Sequence, residues 1–360
     1  MKNIVILGNS LKDKDGVSVL TQQIKKYEKE YNIKLYSSNK KFTLNLFNNL
    51  KSPFYFYKKN LSIIHDVINI LITTWKRPKI IFCLSELYAP IGFILSKIYN
   101  AKIFIACYGT YSLRMPKNDK LYEKSFKKAT LLCSSKYTLN VLKKNNVSNN
   151  IHFLNLFTDK NIFFLKKVKK LRQFVFCGGS NFYKRRKGFT ELLNLIQKKE
   201  FKSLNLKLVI IGNLNIHNNT ETYIFDNKEI KVDLKNITKL INNIYGSNFE
   251  IIGPISNKEL RETYSNSLFN IMLSKHTDDE FDGYGLTHLE ANACGTYSIG
   301  SKESGSENAI IYGSSFNSND YNKIIKYIKK IEKNPYININ QSKIRDVTDY
   351  LNDLFKFFEN

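Results

Sequence analysis

Two acids with seven residues between them, Asp282 and Glu290, frame the part of this chain best suited to chemistry. The run from Asp282 to Ile299 reads DGYGLTHLEANACGTYSI. In Gly283-Tyr284-Gly285 the glycines admit backbone conformations and close ligand approaches that other residues resist. Leu286 and Thr287 then open an Ala-rich helical pattern. The turn thus delivers backbone N–H groups and a helix N-terminus to one point, a seat for an anion. Glu290, one helical turn on, is placed to accept hydrogen bonds from hydroxyl groups. A phosphate cradle beside a hydroxyl acceptor is the equipment of a nucleotide-sugar site.

A second candidate is FCGGSNFYKRRKG, from Phe176 to Gly188. Gly179 lies at the end of an apolar strand pattern, and Arg185, Arg186 and Lys187 follow. A departing nucleoside diphosphate develops negative charge, which fixed cations and N–H dipoles stabilise. In a Lys-rich chain a basic loop is often only a solvated surface. The neighbouring glycines favour the phosphate role here.

The elements that position these loops alternate strand and helix. Ile4–Leu7, Ile33–Tyr36, Ile80–Leu84, Lys102–Cys107 and Thr130–Ser134 read as strands, with helical spacing at Val17, Leu20, Ile24 and Tyr27. The pattern restarts after the Lys/Arg-rich run 161–173, which reads as a connection between domains. Phe174–Cys177, Leu208–Ile211, Glu250–Ile252, Phe269–Leu273 and Tyr297–Ile299 are the later strands. Ser256 and Glu259 spell a capping box, and 344–358 reads as an amphipathic helix. This α/β order implies parallel sheets flanked by helices. The expected architecture is two Rossmann-like, doubly wound domains facing a central cleft, with ligands beyond the carboxyl ends of the strands.

The chain has 360 residues, a net charge of +25, 42% hydrophobic and 24% charged residues. That length accommodates two cores, and the charge implies attraction to polyanions. The five cysteines are widely spaced without a CxxC pair, and read as reduced core residues. They do not cluster with the five histidines, which argues against a zinc site. Neither the short apolar N-terminal run nor 61–73 resembles a signal peptide or a bilayer span. His288 reads as a packed or surface residue, and Asp278-Asp279 as an exposed acidic loop. The segment 40–59 mixes Lys with Phe, Tyr and Leu. That mixture suits either a membrane interface or an ordinary helix over the first sheet.

The Asp282–Gly295 segment resembles the E-x7-E region of family 4 glycosyltransferases, usually met as EGFGLxxLEAxAxG. The likeness continues through Ala291, Ala293, Cys294, Gly295 and the run SGSENAI from Ser304 to Ile310. It departs at Asp282, where the family has Glu. Weaker agreement covers most of the chain. Lys187-Gly188 matches the donor-phosphate loop, but Gly179 and Ser180 stand where an early Arg is usual, so Arg185 or Arg186 would substitute. Gly16, after Asp15 in a loop where the family has paired glycines, and Gly109, after Tyr108 in place of a common His, would let backbone approach the transferred sugar. Ile252-Gly253-Pro254 resembles the loop beside the nucleobase.

The resemblance implies a GT-B fold and a retaining transfer that needs no essential metal or cofactor. It implies an acceptor domain over 1–165, a donor domain over 166–340 and a helix over 341–360 packing back on the first domain. Asp282 and Glu290 would be the catalytic pair. Donor contacts would come from Gly16, Gly109, Gly179, Arg185, Arg186, Lys187, Gly253, Gly283, Tyr284, Gly285, Leu286, Thr287 and Glu290. The expected partners are a UDP- or GDP-sugar, a glycan or polyprenyl-linked acceptor, and an anionic membrane surface, with no specific nucleic acid. The expected setting is the cytoplasm, peripheral to the inner membrane face, in surface polysaccharide assembly. A non-catalytic GT-B partner subunit is the alternative, prompted by Asp15, Tyr108 and Asp282. A nucleic-acid binder is prompted only by charge, without a reading motif.

Overall fold

Short, uniformly apolar runs become the innermost strands, as expected where both faces of a parallel sheet are covered. β1 (Ile4–Gly8) is buried throughout, and so is β3 (Ile80–Cys83). With β2 (Ile33–Ser37), β4 (Lys102–Cys107), β5 (Thr130–Cys133) and β6 (Ile151–Phe153) they form a parallel sheet in the order β2-β1-β3-β4-β5-β6. The computed structural model describes residues 3–9, 11–12, 16–37, 71, 77–180, 187–213, 222–226, 228–231, 234–276 and 280–359. Asp15, the segment 40–59, Arg185, Arg186 and the Asp278-Asp279 pair lie outside the described residues.

The chain divides into two compact units, 1–155 with 351–360, and 156–350. The lysine-rich run 161–173 therefore belongs to the second unit. The first unit carries α1 (Gly16–Lys25), α2 (Ala89–Tyr99), α3 (Thr110–Asn118), α4 (Lys120–Lys128) and α5 (Lys136–Lys144). It also takes the end of the C-terminal helix α12 (Val347–Glu359). There Phe358 meets Phe82 and Phe104 with ring centroids 5.9 and 4.9 Å away. Leu351, Leu354 and Phe358 are buried. Burying an aromatic or leucine side chain contributes about 1.5–3 kcal/mol, so this helix is a component of the first core.

In the second unit β7 (Gln173–Ser180), β8 (Lys207–Asn213), β11 (Phe249–Ile252), β12 (Phe269–Met272), β13 (Tyr297–Ser301) and β14 (Gly313–Phe316) form another parallel sheet. Its order is β11-β8-β7-β12-β13-β14. Side-chain alternation divides the residues between two cores. Phe174, Phe176, Leu208 and Ile210 join helices α6 (Phe189–Ile196), α8 (Leu234–Tyr245) and α11 (Tyr321–Lys333) through Leu192, Ile237 and Ile328. Val175, Cys177, Val209 and Ile211 face Tyr264 of α9 (Asn257–Asn266), Ala291 of α10 (Leu286–Ala293) and Ile344. The short α7 (Lys199–Lys202) and the antiparallel hairpin β9 (Thr222–Phe225) with β10 (Lys228–Lys231) complete the unit. The polar stretch 213–243 thus holds a hairpin ahead of its expected helix.

The capping box at α9 forms as spelled: Glu259 N–H donates to Ser256 Oγ at 3.2 Å, and Ser256 N–H to Glu259 Oε2 at 2.7 Å. All five cysteines are free and buried. No helix among the described residues is long and apolar enough to cross a membrane.

Candidate functional site

Strand order locates the site before any side chain does. From β7 the chain runs one way to β8 and β11, and from β12 the other way. β7 and β12 are therefore the neighbours at which direction reverses, and ligands of open α/β sheets bind beyond the carboxyl ends at that point. The loop after β7 ends in Lys187-Gly188. The loop after β12 leads through Ser274 and His276 to Asp282 and the Gly-Tyr-Gly turn.

Those two loops interlock. Lys187 Nζ lies 3.3 and 3.5 Å from the two carboxylate oxygens of Asp282. Asp282 is only 6% exposed, and Ser274 Oγ donates to its Oδ2 at 3.3 Å. Gly188, the residue before α6, has φ +75°, and a Cβ there would stand 2.1 Å from the Leu273 carbonyl oxygen. One turn into α6, the buried Glu191 meets Lys275 Nζ at 3.4 Å. The start of α6 thus meets residues 273–275 through the Glu191–Lys275 ion pair and the close approach of Gly188 to Leu273, while Lys187 just before it pairs with Asp282. Burial lowers the pKa of His276 in the same loop, against the pull of Asp282 and Glu303.

The Asp282 turn is backed from behind. Gly305 N–H donates to the Asp282 carbonyl at 3.2 Å, and a Cβ on Gly305 would stand 2.2 Å from the Gly283 carbonyl. Only glycine permits that approach, a physical reason for the SGSENAI run. Ser304 and Ser306 are buried there and bonded to each other.

Helix α10 begins after Gly285, whose left-handed backbone supplies no side-chain cap. Gly285, Leu286 and Thr287 keep partial exposure, whereas Tyr284 is 4% exposed with its phenol buried. The Thr287 hydroxyl turns to the Met272 sulfur at 3.0 Å. The turn therefore offers a ligand backbone N–H groups rather than these side chains.

Glu290 is partly buried, and no described residue donates a hydrogen bond to its carboxylate. Burial near Tyr264 and Cys294 pushes its pKa up to about 7. A carboxylate without a donor in a water-poor place is unusual, because such groups are ordinarily paired. It is equipped to accept hydroxyls from a ligand.

Two residues of α10 gain importance from the structure. His288 is fully buried, with Asn270 Nδ2 at 3.2 Å from its Nδ1. Burial drives its pKa down to about 4, so it is a neutral packed residue. Asn292, also fully buried, donates to the carbonyls of Thr296 and Tyr312 and accepts from the N–H groups of Ile311 and Tyr312. It pins α10 to the chain beyond β13. The signal for Asn292 was a polar residue on the apolar stripe of an Ala-rich helix.

The remaining expected residues divide between the units. Gly179 pairs with Gly212 after a register shift in β7, and Gly253 is exposed just past β11, with open space around its α-carbon. Gly16 and Gly109 belong to the first unit, at the starts of α1 and α3.

At α3 the sequence reading missed Glu86. This carboxylate is 3% exposed, and its Oε1 accepts from Tyr108 N–H at 2.6 Å and Ser112 Oγ at 2.5 Å. Burial raises its pKa and both hydrogen bonds oppose the rise. The protein's own acid thus fills the place beside the N-terminus of α3, where α10 leaves its own uncapped. Glu86→Gln retains Oε1 and both bonds, so its stability will stay near wild type. Glu86→Leu strands two buried donors and will lose roughly 2–4 kcal/mol in chemical denaturation. Equal losses in both variants would show that charge, rather than the shared acceptor, matters.

Among the described residues no group of three or more His, Cys, Asp or Glu side chains is arranged to hold a metal ion.

The glycosyl transferases group 1 family profile matches residues 157–346. No curated protein sequence matches significantly. Among solved structures the chain is similar to HepE of Anabaena in complex with UDP-glucose, with TM-score 0.68, 11% identity and 100% of both chains covered. It is also similar to sucrose-phosphate synthase from Thermosynechococcus elongatus, with TM-score 0.67, 15% identity and 93% and 90% of the two chains covered. A third likeness is to the lipopolysaccharide outer core galactosyltransferase WaaB in its apo form, with TM-score 0.64, 14% identity and 99% of both chains covered. Two six-stranded parallel sheets, structural likeness over the whole chain and a profile spanning half of it settle the assignment: the chain belongs to the group 1 glycosyl transferases and has the GT-B fold.

Proposed function

We propose that this chain is a retaining transferase of family 4, moving a hexosyl or N-acetylhexosaminyl group from a UDP- or GDP-sugar to a glycan or polyprenyl-linked acceptor. What carries this reading is the grouping at the β7/β12 reversal. An ion-paired Lys187–Asp282 lies beside the uncapped start of α10, with Glu290 undonated one turn further. Lys187 and the α10 N–H groups meet the diphosphate, with Arg185 and Arg186 of the same loop assigned by resemblance. Glu290 accepts the ribose hydroxyls. Asp282 accepts a hydroxyl of the transferred sugar.

In the transfer step the C1–O bond to the diphosphate breaks and its electron pair stays on the phosphate oxygen. The acceptor hydroxyl oxygen bonds to C1 on the same face, and its proton passes to that phosphate oxygen. Lys187 and the helix dipole stabilise the charge that develops on the leaving group. The second unit is the donor domain and the first the acceptor domain. We place the reaction in capsule, O-antigen or lipopolysaccharide assembly at the cytoplasmic membrane face, without a required metal. HepE was crystallised with UDP-glucose and WaaB is named for outer-core lipopolysaccharide, which supports this setting.

The test is a thermal-shift screen of UDP-, GDP- and ADP-sugars and the free nucleotides, followed by donor turnover with the stabilising sugar. One nucleotide class will raise the melting temperature, and donor hydrolysis or transfer will follow in metal-free buffer. Stabilisation without turnover would favour the non-catalytic partner subunit, consistent with the departures at Tyr108 and Asp282. No shift with any nucleotide would remove the donor site itself.

A further inference from the structure

Residues 164–171, reading FLKKVKKL, run without helix or strand across the second unit. Phe164 and Leu165 are 38% exposed and Leu171 is 50% exposed. These are three of the seven large apolar side chains exposed among the described residues, gathered within eight positions. Lys166, Lys167 and Lys169 between them are exposed, and no described acid pairs with any of them. No Asp or Glu occurs between Asp159 and Glu191.

The strap is firmly seated. Phe163 is buried in the second core. The Arg261 guanidinium covers the Phe164 ring at 4.6 Å. Lys170 Nζ lies 3.2 Å from Thr296 Oγ1, Leu171 N–H donates to the Asn266 carbonyl at 2.7 Å, and Arg172 reaches Glu332 at 2.8 Å. Exposed leucines on an anchored backbone are a standing surface, since solvent gains nothing from them.

We propose that this strap docks on an anionic lipid leaflet. Leu165, Leu171 and the edge of Phe164 enter the headgroup–acyl boundary, while the lysines bury their stems and carry their charge to lipid phosphates. Both halves of the strap then find partners at one surface. A nucleic acid would satisfy only the cations and leave the leucines in water, and one face of the Phe164 ring is already taken by Arg261. The strap is separate from the 40–59 segment, and its lipid contact does not depend on the transferase chemistry.

The experiment is co-sedimentation of the full chain with phosphatidylcholine vesicles, with and without phosphatidylglycerol, at low and high salt. Wild type will bind the phosphatidylglycerol vesicles, less so at high salt. The triple variant Lys166→Glu, Lys167→Glu, Lys169→Glu will lose at least roughly tenfold in affinity, because each surface lysine near an anionic leaflet contributes about fivefold. Leu165→Ser with Leu171→Ser will also weaken binding with every charge intact. Nucleotide-induced thermal shifts of both variants will match wild type, which separates a lipid defect from a folding or donor-site defect. Full vesicle binding by the triple variant would overturn the proposal. So would a leucine variant that binds as wild type while a DNA duplex competes fully, since that marks plain polyanion attraction.

Discussion

Glu290→Gln will melt at a higher temperature than wild type at pH 8 and will have lost at least about a hundredfold in sugar transfer. Both effects follow from one carboxylate in a place that suits a ligand better than the fold. Its pKa is about 7 in the folded chain against 4.5 for an unperturbed glutamate. Between those values the unfolded chain has released the proton and the folded chain has kept it. Wild-type stability therefore falls as pH rises from about 4.5 to 7, then stays level. Gln carries no such penalty. Its advantage will be small near pH 5, grow across that window and reach a plateau above pH 7.

The full shift would correspond to about 3 kcal/mol, and partial exposure reduces this to about 1–2 kcal/mol. That is several degrees in a unit of this size. Melting curves at pH 5, 6, 7 and 8 check the stability arm, and donor turnover the other. A Gln variant with normal transfer would remove Glu290 from the site. One with no pH-dependent gain would show that the carboxylate is well solvated.

Gly188→Ala will be a severely damaging single-methyl change in the second unit. The left-handed backbone alone costs an L-residue about 1 kcal/mol. The new Cβ would also stand 2.1 Å from the Leu273 carbonyl oxygen and 2.2 Å from its carbon. Backbone cannot swing aside as a side chain can, so the loss will be about 3–4 kcal/mol or more. Gly246→Ala is the control. Its φ is +83°, yet nothing lies within 4 Å of the added carbon. It will cost only the conformational share. Folded Gly188→Ala protein will also bind nucleotide poorly, because the displaced loop carries Ser274 to Asp282. Equal losses in the two variants would deny the close approach its role.

How much of this was readable beforehand depends on whether a signal is local. Lys102–Cys107 is a strand in both readings because an unbroken apolar run needs no partner to be recognised. The capping box of Ser256 and Glu259 is equally local. The strand β14, with the sequence GSSF, carries no hydrophobic pattern and is set by pairing with β13. At the site, the Gly turn and Glu290 could be found because helix starts announce themselves in glycine and spacing. The Lys187–Asp282 pair could not, since 95 residues separate its members. Nor could the raised pKa of Glu290, which belongs to its neighbours. Glu86 escaped for the same reason: its hydrogen-bond partners, Tyr108 and Ser112, stand 22 and 26 residues along the chain.

The seating of Phe358 against Phe82 and Phe104 also sets an order of events on the ribosome. The first unit emerges first, but its core lacks Leu351, Leu354 and Phe358 until about 200 further residues have been made, on the order of 10–40 s at ordinary elongation rates. The second unit, continuous from 156 to 350, builds up over that interval and closes its core with Ile344, just before those residues arrive. The nascent first sheet must meanwhile wait with part of an apolar face uncovered, the state in which a chaperone would hold it. The unit synthesised first is thus the last to be completed.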